Sequence, residues 1–439
     1  MTPTVQEKSM GLGLRALNRF ASSPTVERLG LRKPAERFIY SASKNGFRAA
    51  GAIGRQFAAK QKRDKPERQP SGKPTNMFDL TPTDEQQMLK EAFGDFAQAE
   101  LLPVAKQADF DCKAPAGLLA QCNELGATMI GVPEALGGAV EERSAVTSVL
   151  IGEALAKGDL GLAFAALAPS AVSTAIGLWG DGDQQSTYLP EFVGENVPAA
   201  ALAVIEPRAL FDPFRLATKA TRSAGGFKLS GVKSLVPHVA EAELFVVAAE
   251  LEGKPALFIV ESKTEGIFTA PEPAMGLRAA ATGKLVLEDV QIPAAALLAD
   301  ADPKVYTDCI QLGRIAWASL AVGTAQAVLD YVIPYCNQRI AFGEPITHRQ
   351  AVAFNISNIA IELEGMRLTT YRAASQVDMG KPFGREAALA RQLVIDNAMQ
   401  IGSDGVQLLG GHGYVKEYPV ERWYRDLCAA GLMEGALLV

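Results

Sequence analysis

The chain has 439 residues, 48% of them apolar and 21% charged. That length can bury a large core in two or three domains, and the composition is that of a soluble globular protein. Its five cysteines (Cys112, Cys122, Cys309, Cys336, Cys428) form no CxxC pair, and its three histidines (His238, His348, His412) lack metal-ligand spacing. These counts argue against a disulfide framework, a metal enzyme and a serine triad, and they fit a reducing compartment.

Charge divides the chain. Residues 1–75 carry 16 Lys/Arg and 5 Asp/Glu, a balance of +11, while the remainder carries 27 and 44, a balance of −17. Within this leader, residues 34–62 read as an amphipathic helix. Phe38, Ala42, Gly46, Ala49, Ile53 and Phe57 make an apolar stripe, with Arg37, Lys44, Arg48, Arg55, Lys60 and Lys62 on the other faces. Three readings stand: a helix on an anionic membrane surface, an organelle transit peptide, or a solvated arm. Nucleic acid is disfavoured, because the body is acidic and no recognition motif follows.

The body begins with helical patterns over about 84–195. Thr83 with Gln86 is a capping pattern, and "IGVPEALGG" (130–138) is a turn-rich break. The charge-free stretch Leu160–Trp179 is long enough to span a bilayer. Its Ala, Gly, Ser and Thr content and Pro169 point instead to a pair of buried helical segments. Five short runs rich in Val, Leu and Phe between about 198 and 293 read as strands. From about 301 the helical period returns, with Ile356, Ile359, Ala360, Leu363 and Met366 on one stripe and Leu389, Leu393 and Ile401 on another. The expected fold class is α+β in four parts. These are an extension (1–76), a helical domain (77–196), a β domain (197–300) and an antiparallel helix bundle (301–439).

Several strings lie in that order. They are "VPEALGG", Glu206-Pro207, "MGLRAAAT" (275–282), "LEDVQIP" (287–293), "RIAFGEPITHRQ" (339–350), "SDGVQLLGGHGYVKEYPVERWYRD" (403–426) and "MEG" (433–435). Together they resemble the acyl-CoA dehydrogenase family from about residue 78 to the last residue. The resemblance implies FAD-dependent oxidation of an acyl-CoA thioester to a trans-2-enoyl-CoA, with an electron-transfer flavoprotein as acceptor. A carboxylate takes the weakly acidic α proton while a hydride leaves the β carbon for the flavin. Hydrogen bonds to the thioester oxygen stabilise the enolate-like charge.

By this resemblance Glu434 is the catalytic base, with its own N–H as one donor to the thioester. Gly435 follows it, and Arg314 lies near the substrate. Arg339 and Phe342 correspond to FAD contacts at the pyrophosphate and adenosine. Gln407, Gly410 and Gly411 approach the FAD of a neighbouring subunit, which implies a homodimer or homotetramer. Some relatives carry the base on the helix of Arg314, but the matching position here is Gly313. The plainer alternatives are a solvated tail charge for Glu434, a surface ion pair for Arg339, a core position for Phe342 and a simple turn for the glycines.

Two flavin-contacting loops depart from the family. The usual Thr-Glu-Pro-x-Ala-Gly-Ser-Asp is Ile205-Glu206-Pro207-Arg208-Ala209-Leu210-Phe211-Asp212, and Trp-x-Thr is Leu235-Val236-Pro237. Side-chain donors to a flavin are therefore fewer. The departures keep two alternatives open: a partner subunit or acyl-CoA-binding module that has lost flavin, and a flavin oxidase on the same fold. The expected setting is the bacterial cytoplasm with peripheral contact at the inner membrane through residues 1–62, or the mitochondrial matrix if the leader is a transit peptide.

Overall fold

The computed structural model describes residues 80–138, 143–194 and 196–439. The basic leader and its amphipathic helix lie outside them.

Helix α1 (Asp84–Phe96) starts at the expected capping box. Thr83 Oγ1 accepts from the Gln86 N–H, and the Gln86 side chain accepts from the Thr83 N–H. A π turn leads into α2 (Leu102–Asp111), followed by α3 (Leu118–Glu124). The turn-rich break forms two 3-10 turns, Met129–Gly131 and Glu134–Leu136. Helices α4 (Ala145–Gly158), α5 (Leu160–Trp179) and α6 (Gly182–Tyr188) follow.

The charge-free stretch is one continuous helix, α5, rather than two segments. Asp159 caps it through the Leu162 N–H at 2.9 Å. Pro169 offers no N–H to the carbonyl of Ala165, yet the helix continues. The buried imidazole of His238 sits against that carbonyl, and apart from Leu167 every residue from Leu160 to Ile176 is buried. Its apolar length is therefore satisfied inside the protein, where 89% of the most apolar window is buried.

The sheet runs β1 (Ala200–Ala203), β4 (Leu244–Leu251), β2 (Lys219–Ser223), β3 (Gly226–Val236), β7 (Gly283–Pro293) and β6 (Ile267–Pro271). Strand β5 (Lys254–Glu261) pairs with the other edge of β4. Strands β1 and β2 run parallel to β4, and the remaining pairs are antiparallel. Alternation along β4 is filled on both faces: Leu244, Val246 and Ala248 join the helical core, while Phe245, Val247 and Ala249 join a second core within the β domain. Strands β2 and β6 escaped the sequence reading. "KATRS" and "IFTAP" are mostly exposed and lack an apolar run.

Helix α7 (Pro303–Gln338), a short hairpin of β8 (Ile340–Ala341) and β9 (Glu344–Pro345), α8 (Gln350–Asp378), α9 (Gly384–Leu409) and α10 (Val420–Ala429) complete the fold. Helices α7, α8 and α9 each pack on the other two, and α4 packs against α7. On α8 the expected stripe holds, with Ile359, Leu363 and Met366 buried. On α9 the buried stripe is Ala387, Ala390, Val394, Ala398 and Ile401, and Leu389 is exposed. Alanines let α9 approach closely, so the stripe turns from the leucines toward the small residues.

Candidate active site

The site is built where α10 ends. Arg422, Arg425 and Asp426 anchor that helix. Arg425 grips both carboxylate oxygens of Asp109 at 2.7 and 2.8 Å and donates to the Met275 carbonyl at 2.9 Å. Asp426 accepts from the Leu277 N–H at 2.7 Å, and Arg422 donates to Asp159 at 2.9 Å. The Arg-Asp pair of the sequence string is thus a clamp between α10, α2 and the "MGLR" loop. Burial, followed by the charge of Asp159, pushes the Asp426 carboxyl up to about 8.

Beyond α10 the chain turns, with the N–H groups of Leu432 and Met433 donating to the Ala429 carbonyl. This turn carries Glu434 into the interior, where it is 6% exposed. Arg314 on α7 donates Nε to Oε2 at 2.8 Å and Nη2 to Oε1 at 2.9 Å. Arg391 on α9 places Nη2 at 2.8 Å from Oε1. It also donates to the carbonyls of Met433 at 3.0 Å and Gly431 at 3.2 Å. Glu434 is therefore buried between two guanidinium groups rather than in an apolar pocket. Its backbone N–H finds no acceptor among the described residues. A buried, unpaired N–H beside a carboxylate is a donor available to a ligand.

Two glycines permit this approach. Gly435 has φ +63, and a Cβ there would stand 2.6 Å from Val204 Cγ2. Its carbonyl accepts from Trp317 Nε1 at 2.8 Å, one turn along α7 from Arg314. Gly313, the alternative base position, packs against Gly435 itself.

Arg314, Glu434 and Gly435 are thus brought together. Arg391 was missed by sequence reasoning. Its signal was a charge next to the small-residue stripe of α9, which needs a partner when half-buried. The other five candidates lie apart. Arg339 caps the C-terminal end of α7, 25 residues or roughly 37 Å along the helix from Arg314. The Arg339 guanidinium has no ion-pair partner among the described residues, and Phe342 is 95% exposed at φ +56. Gln407 is exposed on the last turn of α9. Gly410 (φ +58) and Gly411 follow it, and a Cβ at either would meet nothing within 4 Å.

These five residues fit part of an FAD. A free guanidinium suits a pyrophosphate, an outward aromatic ring suits an adenine, and bare glycine backbone admits close approach. The β-domain side offers less. Glu206 is committed internally, accepting from the Ala217 and Thr218 N–H groups and pairing with the fully buried Lys233 at 3.0 Å. Burial pushes Lys233 down to about 8 against the pull of Glu206. Although burial opposes it, Lys233 and those two N–H groups hold the Glu206 carboxyl below the usual range. Arg208 donates to the Arg215 carbonyl and Leu210 is fully exposed. Leu235 has φ +53, and its N–H and the Ser234 hydroxyl both bind Glu272. This side can meet a flavin with backbone and apolar surface.

Three family models match along the chain. Acyl-CoA dehydrogenase, N-terminal domain, matches residues 83–196; the middle domain matches 201–290; the C-terminal domain matches 304–437. The chain is 35% identical over 359 residues to the short-chain specific acyl-CoA dehydrogenase, mitochondrial, of Bos taurus, covering 80% of this chain and 86% of that one. Butyryl-CoA dehydrogenase from Megasphaera elsdenii has a similar structure, with TM-score 0.76, 30% identity, and 82% and 96% of the two chains covered. A chain from the work on the electron transferring flavoprotein of Acidaminococcus fermentans is equally similar, with TM-score 0.76, 29% identity and the same coverage. With its three domains matched in order around a buried Glu434, this chain belongs to the acyl-CoA dehydrogenase family and is an oxidoreductase with FAD as its cofactor.

Proposed function

We propose that this enzyme oxidises the Cα–Cβ bond of a short acyl-CoA thioester, with Glu434 as the base, and passes its electrons to an electron-transferring flavoprotein. The buried Glu434 carboxylate beside its own unpaired N–H carries the reading. Bound FAD supplies the acceptor for the hydride. The rest falls to the chain. Glu434 takes the α proton, and its N–H donates to the thioester oxygen as negative charge builds there. To reach the substrate, Glu434 must release one oxygen from the bidentate grip of Arg314. Arg391 keeps the loop in place meanwhile, through the Met433 and Gly431 carbonyls.

The short-chain and butyryl-CoA relatives support a short substrate, and the similarity to a chain from the work on an electron transferring flavoprotein supports the acceptor. Self-association is part of the proposal. Phe354, Ile361 and Leu368 are exposed at seven-residue spacing on one face of α8. By the family resemblance Gln407-x-x-Gly-Gly serves a second copy's flavin, and Arg339 stands roughly 37 Å along α7 from Arg314. The +11 balance of residues 1–75 supports attachment of this cytoplasmic enzyme to an anionic membrane.

The test is the absorption spectrum of the purified protein before and after adding acyl-CoAs without oxygen. Bound flavin whose absorbance falls with a short acyl-CoA is the expected result. A protein that stays colourless with added FAD overturns the reading and favours a binding module.

A further inference from the structure

The loop that carries the base rests on the chain that leaves β1. Gly435 packs so closely there that a Cβ on it would stand 2.6 Å from Val204 Cγ2. Val204 is the first residue beyond β1, and the ladder between β1 and β4 ends at Ala203. Residues 204–206 lie past that last rung and are held by the end of β3. Lys233 Nζ donates to the Val204 carbonyl at 3.1 Å and to Glu206 Oε1 at 3.0 Å. The Ser234 N–H donates to the Ile205 carbonyl at 2.8 Å. Strand β3 is irregular at this point, with a register shift between Lys233 and Val236. Glu272 fixes the bulge by accepting from the Ser234 hydroxyl and the Leu235 N–H, each at 2.8 Å. Bulges of this kind re-aim a side chain, and here the side chain is Lys233.

Stability alone is a weak reason for a lysine at this place. Its side chain is 0% exposed. Taking an ion pair out of water costs much of what the attraction returns, and an apolar pair of similar volume often holds a fold as well or better. What an apolar pair cannot do is bind a carbonyl. The ammonium group has three donors; one neutralises Glu206 and another holds the main chain of Val204, two residues earlier on the same segment. Val204 is in turn the residue beneath Gly435. The path from the lysine to the base is therefore one hydrogen bond, one side-chain contact and one peptide bond.

We propose that Lys233 is a positioning residue for the reaction: through the Val204 carbonyl it sets where the loop carrying Glu434 stands against α7. The proposal rests on the reading of Glu434 as the base.

The test takes Glu206→Gln as its reference, because the amide oxygen still accepts from Lys233 and no carboxylate is stranded when the lysine is removed. Adding Lys233→Met then takes away the donor to Val204. Flavin reduction by butyryl-CoA is expected to be about 10–100-fold slower in the double variant than in Glu206→Gln, with KM within about twofold. Equal rates, or a rise in KM alone, overturn the proposal. Val204→Ala leaves the ion pair whole and removes the methyl groups under Gly435, so it is expected to slow the reaction as well. Combined with the double variant it should add little, because both changes break one path. A full-speed Val204→Ala enzyme, or losses that multiply, contradict the proposal. Amide exchange over residues 430–435 of the flavin-loaded protein without substrate gives a reading apart from activity. Exchange is expected to be faster in the double variant than in Glu206→Gln, and equal exchange overturns the proposed path. Failure of the base assignment is read separately, as wild-type flavin reduction by Glu434→Gln with Lys233 intact.

Discussion

Gly313 on α7 and Gly435 in the catalytic loop are packed so closely that a Cβ on Gly313 would stand 2.9 Å from the Gly435 Cα and 2.9 Å from the Leu437 carbonyl oxygen. The position that carries the base in some relatives is here a floor for the loop that carries Glu434. Gly313→Ala must push that loop off α7 and loosen the Trp317 to Gly435 hydrogen bond. The expected cost is about 1–3 kcal/mol of stability with a drop in kcat, checked by denaturant titration and by the rate of flavin reduction.

Arg391 is a positioning residue that touches the carboxylate and two loop carbonyls at once. Arg391→Met is expected to lower kcat by roughly 10–100-fold with little change in KM, because the loop drifts while the substrate contacts stay. Arg391→Lys restores the charge but not the fork, so it should recover only part of the rate. A variant that raises KM alone would show that Arg391 binds substrate instead.

Asp426 gives a pH dependence with a definite sign. Its folded pKa is raised from the ordinary 3.8 to about 8. The folded state therefore holds a proton that the unfolded state has released. The stability it contributes is fully present below about 3.8 and is lost as pH rises toward 8. Asp426→Asn should flatten the fall in melting temperature between pH 5 and 8, while retaining the backbone contact to Leu277 if the amide oxygen faces it. An unchanged slope in the Asp426→Asn variant would move the effect to another group.

Lys233 and Glu206 form a pair almost wholly removed from water, at 0% and 2% side-chain exposure. Lys233→Met strands a buried carboxylate and should cost about 3–5 kcal/mol in denaturant unfolding. Adding Glu206→Gln should return much of that loss, because the amide carries no charge. Additive losses would mean that the two residues act independently.

Local signals made much of this fold legible. Thr83 and Gln86 announced a capping box, the five Val- and Leu-rich runs announced strands, and the resemblance named Arg314 and Glu434, which the fold joins as an ion pair. What escaped depends on long-range pairing. Glu206 reads as part of a ligand loop in the sequence, but its oxygens are taken by Lys233, Ala217 and Thr218, from strand β3 and the approach to β2. Arg391 lies 43 residues before Glu434, and only the packing of α9 on the loop brings them together. Pro169 suggested a helix break because the sequence cannot reveal that the buried His238 lies against the Ala165 carbonyl that the proline leaves without its helical N–H.

The most direct measurement of the central claim is the anaerobic addition of butyryl-CoA to the flavin-loaded Glu434→Gln variant. This substitution keeps the size of the side chain and removes the base. The account predicts unchanged flavin content, retained butyryl-CoA binding and flavin reduction slowed by about a thousandfold or more relative to the wild type. Flavin reduced by butyryl-CoA at the wild-type rate would contradict it and place the base elsewhere.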